Sequence, residues 1–218
     1  MQRRPRKERK ENADRRRRQL LDATRRSIVS NGLRRTTLAT VAAEAGLSPG
    51  VAVFYFKSKS GLLAEALRDL YDSYERNWTR VLDAAGENPL AQLISLIYAE
   101  FDPLVCTEEF ISVWFAFWGD KEIMLPQTGR ELSAFDQRIE QVGLSILKQL
   151  LPREPERAKE ISAWLEALLA GYWLLLHQDP NINVADAREG VLRFVATQLP
   201  EHSDAILNEV ALMDQAEG

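Results

Sequence analysis

Cysteine and histidine are scarce in this chain of 218 residues, with one Cys and two His. The lone Cys106 has no intrachain disulfide partner, which fits a reducing compartment and leaves the fold to its apolar core. No histidine lies near Cys106 in sequence, so a packed thiol is expected rather than a nucleophile. His177 and His202 are far apart and in no metal-ligand spacing, so no metal site is expected. His177 reads instead as a cation near a helix C-terminus. No Walker loop or Gly-rich dinucleotide turn occurs. No catalytic set, no cofactor and no enzymatic role are therefore expected. The longest nearly apolar run, Leu165–Leu176, carries Glu166 and is too short to span a bilayer. The basic N-terminus is not followed by an apolar stretch, which argues against a signal peptide. A soluble, cytoplasmic protein that does not engage membranes is expected. Strand-period segments and internal repeats are also missing, which predicts an all-α fold.

The chain has ample apolar residues, 45% of its composition, and its net charge of −4 conceals a division. Residues 1–60 hold 16 Lys/Arg against 5 Asp/Glu, whereas residues 61–218 hold 12 against 27. A basic head neutralises phosphates and an acidic body is repelled by them, so this division suits a protein that docks on nucleic acid in one orientation. Residues 1–13 are nearly devoid of apolar side chains and are expected to be a disordered basic arm, either mobile or lying along DNA.

The densest local signal is residues 37–59, TLATVAAEAGLSPGVAVFYFKSK. Leu38, Val41, Ala42 and Ala45 follow helical spacing. Gly46 supplies a left-handed residue that ends that helix. Ser48 is placed as an N-cap, with Pro49 at the first helical position. Val51 and Phe54 are expected to pack back onto the first helix of this pair. Two short helices joined by a tight turn form the arrangement that enters a DNA major groove. Thr37, Val41, Ala42, Ala45, Gly46, Ser48, Gly50, Tyr55, Phe56, Lys57, Lys59, Leu62 and Leu63 together resemble the helix-turn-helix of the TetR family of bacterial repressors.

Geometry assigns Thr37 and the N–H groups of the first short helix to a phosphate. Ser48, Pro49, Gly50, Val51 and Val53 are expected on the face toward the bases. The resemblance implies backbone-phosphate contacts for Tyr55 and Lys59. Where the family often carries Tyr-His, this chain has Val53 and Phe54, so base reading rests on Ser48, flanking residues or apolar contact with thymine methyls.

Further helices are expected at about 14–30, 60–85, 90–101, 108–119, 129–151, 156–177 and 184–198, with a short helix and frayed tail over 200–218. The domain reading is an arm over 1–13, a helix-turn-helix domain over 14–60, a regulatory and dimerisation domain over 61–200, and a tail from 201. Helix 108–119 is apolar on nearly every face and is expected to be buried. Its VWFAFW run places Trp114 and Trp118 one turn apart, beside Phe117 and Asp120. Tyr172 and Trp173 lie in a later apolar helix. These residues form either ordinary core or a pocket for an organic cation, which tryptophan faces attract.

The WFAFW run, the AGYW segment and the closing RFVATQLP resemble the BetI-type branch of TetR repressors. That resemblance implies choline or another quaternary or cationic amine as effector, and genes of glycine-betaine synthesis as targets. A multidrug-type sensor of lipophilic cations, or a DNA-binding regulator without a small-molecule switch, remain the alternatives. Helices 156–177 and 184–198 carry more apolar residues than one-sided burial needs, with small Ala163, Ala167, Ala170 and Gly171 among them. They either complete the monomer core or form a two-fold interface, and the resemblance implies a homodimer on a pseudo-palindromic double-stranded DNA operator.

Overall fold

The computed structural model describes residues 6–120, 126–179 and 181–216, and every regular element among them is helical. The helices are α1 (Arg6–Arg35), α2 (Leu38–Glu44), α3 (Pro49–Phe56), α4 (Lys59–Ala85), α5 (Pro89–Glu100), α6 (Glu108–Gly119), α7 (Pro126–Leu150), α8 (Pro155–Gln178), α9 (Val184–Gln198) and α10 (Ser203–Ala216), with a 3-10 turn at Pro200–His202. The chain divides into two compact units. Residues 1–72 and 112–132 form the first, and residues 73–111 and 133–218 the second. The division falls inside α4, which runs unbroken from Lys59 to Ala85.

Two expectations at the ends change. Helix α1 begins at Arg6, so residues 6–13 of the expected disordered arm are helical. Their Lys, Arg and Glu are good helix formers and need no apolar face to extend an existing helix. Residues 1–5 of that arm lie outside the described residues. At the other end the expected short helix is α10, and it is longer and better anchored than a tail, with Ile206 and Val210 buried in the second unit's core.

In the first unit, α1 to α4 enclose Leu20, Leu21, Ala23, Val41, Ala42, Ala45, Ala52, Phe56, Leu62 and Ala66. Two polar devices lock α1 over this core. Asp69 of α4 is almost fully buried and accepts from Arg18 at 2.6 Å and Arg25 at 2.7 Å. Gln19 Nε2 donates to the Ala45 carbonyl at 2.6 Å, which ties α1 to the turn after α2.

In the second unit, α9 runs through the core, with Val191, Leu192 and Val195 buried against residues of α5, α8 and α10. Asn88 caps α5 by accepting from Leu90 N and Ala91 N, and Pro89 occupies its first turn. Asn183 caps α9 in the same way through Ala185 N. The excess apolarity of α9 is thus consumed inside its own unit. Helix α8 differs. Ile161, Leu165 and Trp173 face inward, while Ala163, Trp164, Ala167, Ala170, Gly171, Leu174 and Leu175 are exposed along one side.

Candidate functional site

The α2–α3 pair forms from strong local signals. Thr37 and Thr40 make a reciprocal capping box, with Thr40 N donating to Thr37 Oγ1 at 3.1 Å and Thr37 N to Thr40 Oγ1 at 2.8 Å. Gly46 adopts φ +65°, the left-handed geometry expected of it. The chain turns by 120° between the two helix axes. Ser48 does occupy the N-cap of α3 with extended backbone, but its hydroxyl makes no capping bond. Pro49 follows it at the first helical position, where its missing N–H costs nothing and its fixed φ suits the helix.

Helical rotation then sorts the side chains of α3. Ala52 and Phe56 are buried in the head core. Ser48, Pro49, Gly50, Val53, Phe54 and Lys57 are exposed. Of the two residues expected to pack back, Val51 does so and Phe54 does not. Phe54 does not pack onto the head core and is 68% exposed, because it follows Val53 around the helix onto the outward face. Val51 is half-buried against the head core, one turn before Tyr55, which packs on that core with it. The outward face thus presents Val53 and Phe54, both apolar, with Lys57 Nζ 5.2 Å from the Phe54 ring centroid.

The junction into α4 is held tightly. Lys57 has φ +64°, an uncommon conformation for a non-glycine residue, and its N–H caps α3 by donating to Val53 O. A Cβ on Gly61 would lie 2.3 Å from the Phe56 carbonyl oxygen, so the closeness of the turn requires glycine. Lys59 Nζ donates to the Arg34 carbonyl at 2.5 Å and ties the start of α4 to the end of α1. Thr37, Tyr55 and Lys59 therefore each have a structural task in the head. Among the described residues the Tyr55 hydroxyl has no protein partner, although its ring meets Phe54 edge-on at 5.2 Å.

The aromatic residues of the body separate into two groups. In the first unit, Trp114 is half-buried and lies over Tyr71 of α4, with centroids 4.8 Å apart and planes at 33°. Phe117 is buried, but Trp118 is 61% exposed and meets Phe115 edge-on. The expectation that all of α6 is buried therefore fails at Trp118. An apolar helix of this length has more aromatic surface than the inward side of its own unit covers. Asp120 faces Arg34 at 3.8 Å.

In the second unit Tyr172 and Trp173 diverge, as adjacent residues on a helix must. The Tyr172 ring meets Phe101 edge-on at 6.4 Å, and its hydroxyl occupies the space a Cβ on Gly190 would take. Trp173 is buried and its Nε1 donates to the Glu100 carbonyl oxygen at 3.1 Å. The Trp173 ring stands nearly perpendicular to Tyr74 and to Phe110, each 6.1 Å away between centroids. Tyr74 hydroxyl donates to the Glu100 carboxylate. Glu100 keeps slight contact with solvent, yet the atoms around it are so dense that burial pushes its carboxyl up to about 7. The Tyr74 bond opposes this rise without cancelling it. Nearby Cys106 has its thiol pushed up to about 11, by burial first and by the charge of Glu100 second. Among the described residues no group of three or more His, Cys, Asp or Glu is placed to hold a metal ion.

Sequence reasoning missed Glu100 and Tyr74. One signal was available: Glu100 ends an otherwise uncharged helix.

Comparison with known proteins adds to this geometry. Residues 20–66 match the model of bacterial regulatory proteins of the tetR family, and residues 89–200 match that of the C-terminal region of BetI-type transcriptional repressors. The HTH-type transcriptional regulator BetI of Burkholderia mallei is 38% identical over 160 residues, covering 73% of this chain and 80% of that protein. Among solved structures, a transcriptional regulator from Pseudomonas aeruginosa PAO1 superposes with a TM-score of 0.72 at 22% identity, covering 88% of this chain and 94% of that one. A protein from Saccharomonospora viridis, described as a transcriptional regulator and solved in complex with choline, gives 0.65 at 21% identity, covering 82% and 94%. At these identities the two structures speak for the fold alone.

Proposed function

The chain belongs to the TetR family of bacterial regulators, with a C-terminal region of the BetI-type transcriptional repressors, and from that premise we propose a homodimeric repressor released from its operator by choline or a related quaternary amine. The observation that carries the ligand class is the clustering of Tyr74 of α4 with Phe110, Trp173 and a carboxyl group of the BetI-type region. A solved structure of the same fold binds choline, which supports the same class. Genes of choline-to-betaine conversion are the proposed targets, by likeness to BetI.

In this reading the outward face of α3 enters the major groove of a pseudo-palindromic operator. Ser48, Pro49, Gly50, Val53 and Phe54 approach base edges, with Val51 on the flank. Tyr55, Lys59 and Thr37 contact phosphates. The exposed face of α8, from Ala163 to Leu175, packs on its counterpart in a second copy. The apolar side chains there are left exposed by the core of their own unit, and the small residues let two helices approach closely. Two aromatic groups are candidates for the effector, each within its own unit: Trp173 and Tyr172 on α8 in the second, and Trp114, Phe117, Trp118 and Asp120 on and beside α6 in the first. Helix α4 supplies Tyr74 and Tyr71 to these clusters and begins at Lys59 beside the reading helix, so it transmits the change. Release requires that the effector bind the non-operator arrangement more tightly.

A reporter gene driven by the chain's own upstream region tests this. Repression by the wild-type chain, relieved by choline, is expected. Trp114→Ala and Trp118→Ala proteins are expected to repress and to respond poorly. An unchanged response in both would remove Trp114 and Trp118 from the effector site. Relief by bulky dyes as readily as by choline would indicate a broad cation sensor instead.

A further inference from the structure

Glu100 occupies a costly place for a carboxylate. It is the last residue of α5, where the helix dipole presents its negative end. It lies among aromatic rings at a depth that disfavours charge, and among the described residues no lysine or arginine is paired with it. Its carboxyl is held by the Tyr74 hydroxyl, and its main-chain oxygen is fixed by Trp173 Nε1. The other carboxylates near this end of the helices are compensated: Asp102 pairs with Arg80 at 2.8 Å and Glu75 with Arg138 at 2.8 Å. Asp120, the acid singled out from sequence, faces Arg34. Among the described residues Glu100 has no paired cation, and a strongly perturbed ionisable group of that kind is a candidate for a binding site.

The surrounding rings define what could supply the missing charge. Trp173 stands at 82° to Tyr74 and at 89° to Phe110, so the cluster presents ring faces in more than one direction. Ring faces attract cations, and they do so without offering hydrogen-bond acceptors. A metal ion would need several oxygen or nitrogen ligands, which the cluster lacks. An alkylated ammonium needs a diffuse negative surface and one carboxylate.

We propose that Glu100, Tyr74, Phe110 and Trp173 form the receptor for the cationic head of an organic ammonium ligand, with Glu100 as the residue that selects for charge. This deepens the effector reading above by naming its counter-ion. It rests on that reading, and because binding can be followed without DNA, a failure at Glu100 is distinguishable from a failure of the effector role. Because Tyr74 lies on α4, a ligand that draws the Glu100 carboxylate toward itself competes with the Tyr74 hydroxyl and acts directly on that helix.

Isothermal titration of the full chain with choline, benzyltrimethylammonium and 3,3-dimethylbutanol, the uncharged isostere of choline, tests the assignment. The wild-type chain is expected to bind at least one of the two cations and to discriminate choline from its isostere. Glu100→Gln keeps the shape of the side chain and is expected to weaken cation binding by about tenfold or more, as loss of one partner in a desolvated charge pair does. It should also erase the discrimination. Tyr74→Phe, which leaves the carboxylate in place, should retain the preference for charge. Undiminished cation binding by Glu100→Gln overturns the proposal, as does a wild-type chain that binds neither cation. A chain that binds choline through Glu100 yet holds its operator regardless would support this receptor and refute the effector role instead.

Discussion

Phe54 and Glu100 are the residues at which tertiary context changes what the sequence says. Phe54 reads as a core residue by its chemistry, yet α3 turns it outward beside Val53. An apolar tip on a reading helix favours thymine methyl groups. Phe54→Ala is expected to weaken operator binding by about tenfold. Replacing operator thymines with uracil should weaken the wild-type chain and leave the variant unaffected, and competitive gel shift would report both. Glu100 could not be recognised from its neighbours in sequence, because Tyr74 stands 26 residues before it and Trp173 73 residues after. Its elevated carboxyl has a consequence for stability. With its folded value raised to about 7 from 4.5, the folded state keeps a proton that the unfolded state releases between those limits. Stability from this group is therefore fully present below about 4.5, falls as pH rises through about 7, and is lost above it. Gln cannot ionise. Glu100→Gln should match the wild type at pH 4 and exceed it by about 1–3 kcal/mol at pH 8, allowing for slight solvent contact. Chemical denaturation at the two pH values measures the difference.

The helices themselves were largely legible because their ends carry local chemistry. Helices α6 and α9 run over the residues expected, Glu108–Gly119 and Val184–Gln198. Pro89, Gly46 and Asn183 each mark a boundary by a backbone preference that acts within a few residues. What a helix packs against is not local in this way. The apolar face of α9 proved to serve its own unit, whereas α8 kept an uncovered one, and periodicity is alike in both cases. If that α8 face joins two copies, Ala170→Glu places two charges in the joint and should halve the mass seen by light scattering, with helicity retained. A variant that stays dimeric would move the interface elsewhere. The lock between α1 and α4 depends on one side chain. Asp69→Ala strands Arg25 at low exposure and should cost about 3 kcal/mol, at the low end for a broken buried pair because Arg18 is half-exposed. Thermal melts of the full chain would show the loss.

Across the whole molecule, the uneven charge is consistent with a regulator that meets DNA through residues 1–60 and keeps its acidic remainder away. All-α architecture and membership of the TetR family were both legible before any coordinates, since the helix-turn-helix concentrates its signal in one short stretch. The aromatic cluster around Glu100 was half legible: its tryptophan was named and its carboxylate was not. Binding to operator DNA should fall steeply with salt, because phosphate neutralisation by the basic head releases counterions. The most direct test of the account is fluorescence anisotropy of the wild-type chain on labelled DNA from upstream of its own gene, at moderate salt, with and without choline. Tight binding that resists non-specific competitor DNA and weakens on adding choline is the predicted result. Tight, specific binding that choline and other quaternary amines leave untouched would contradict it.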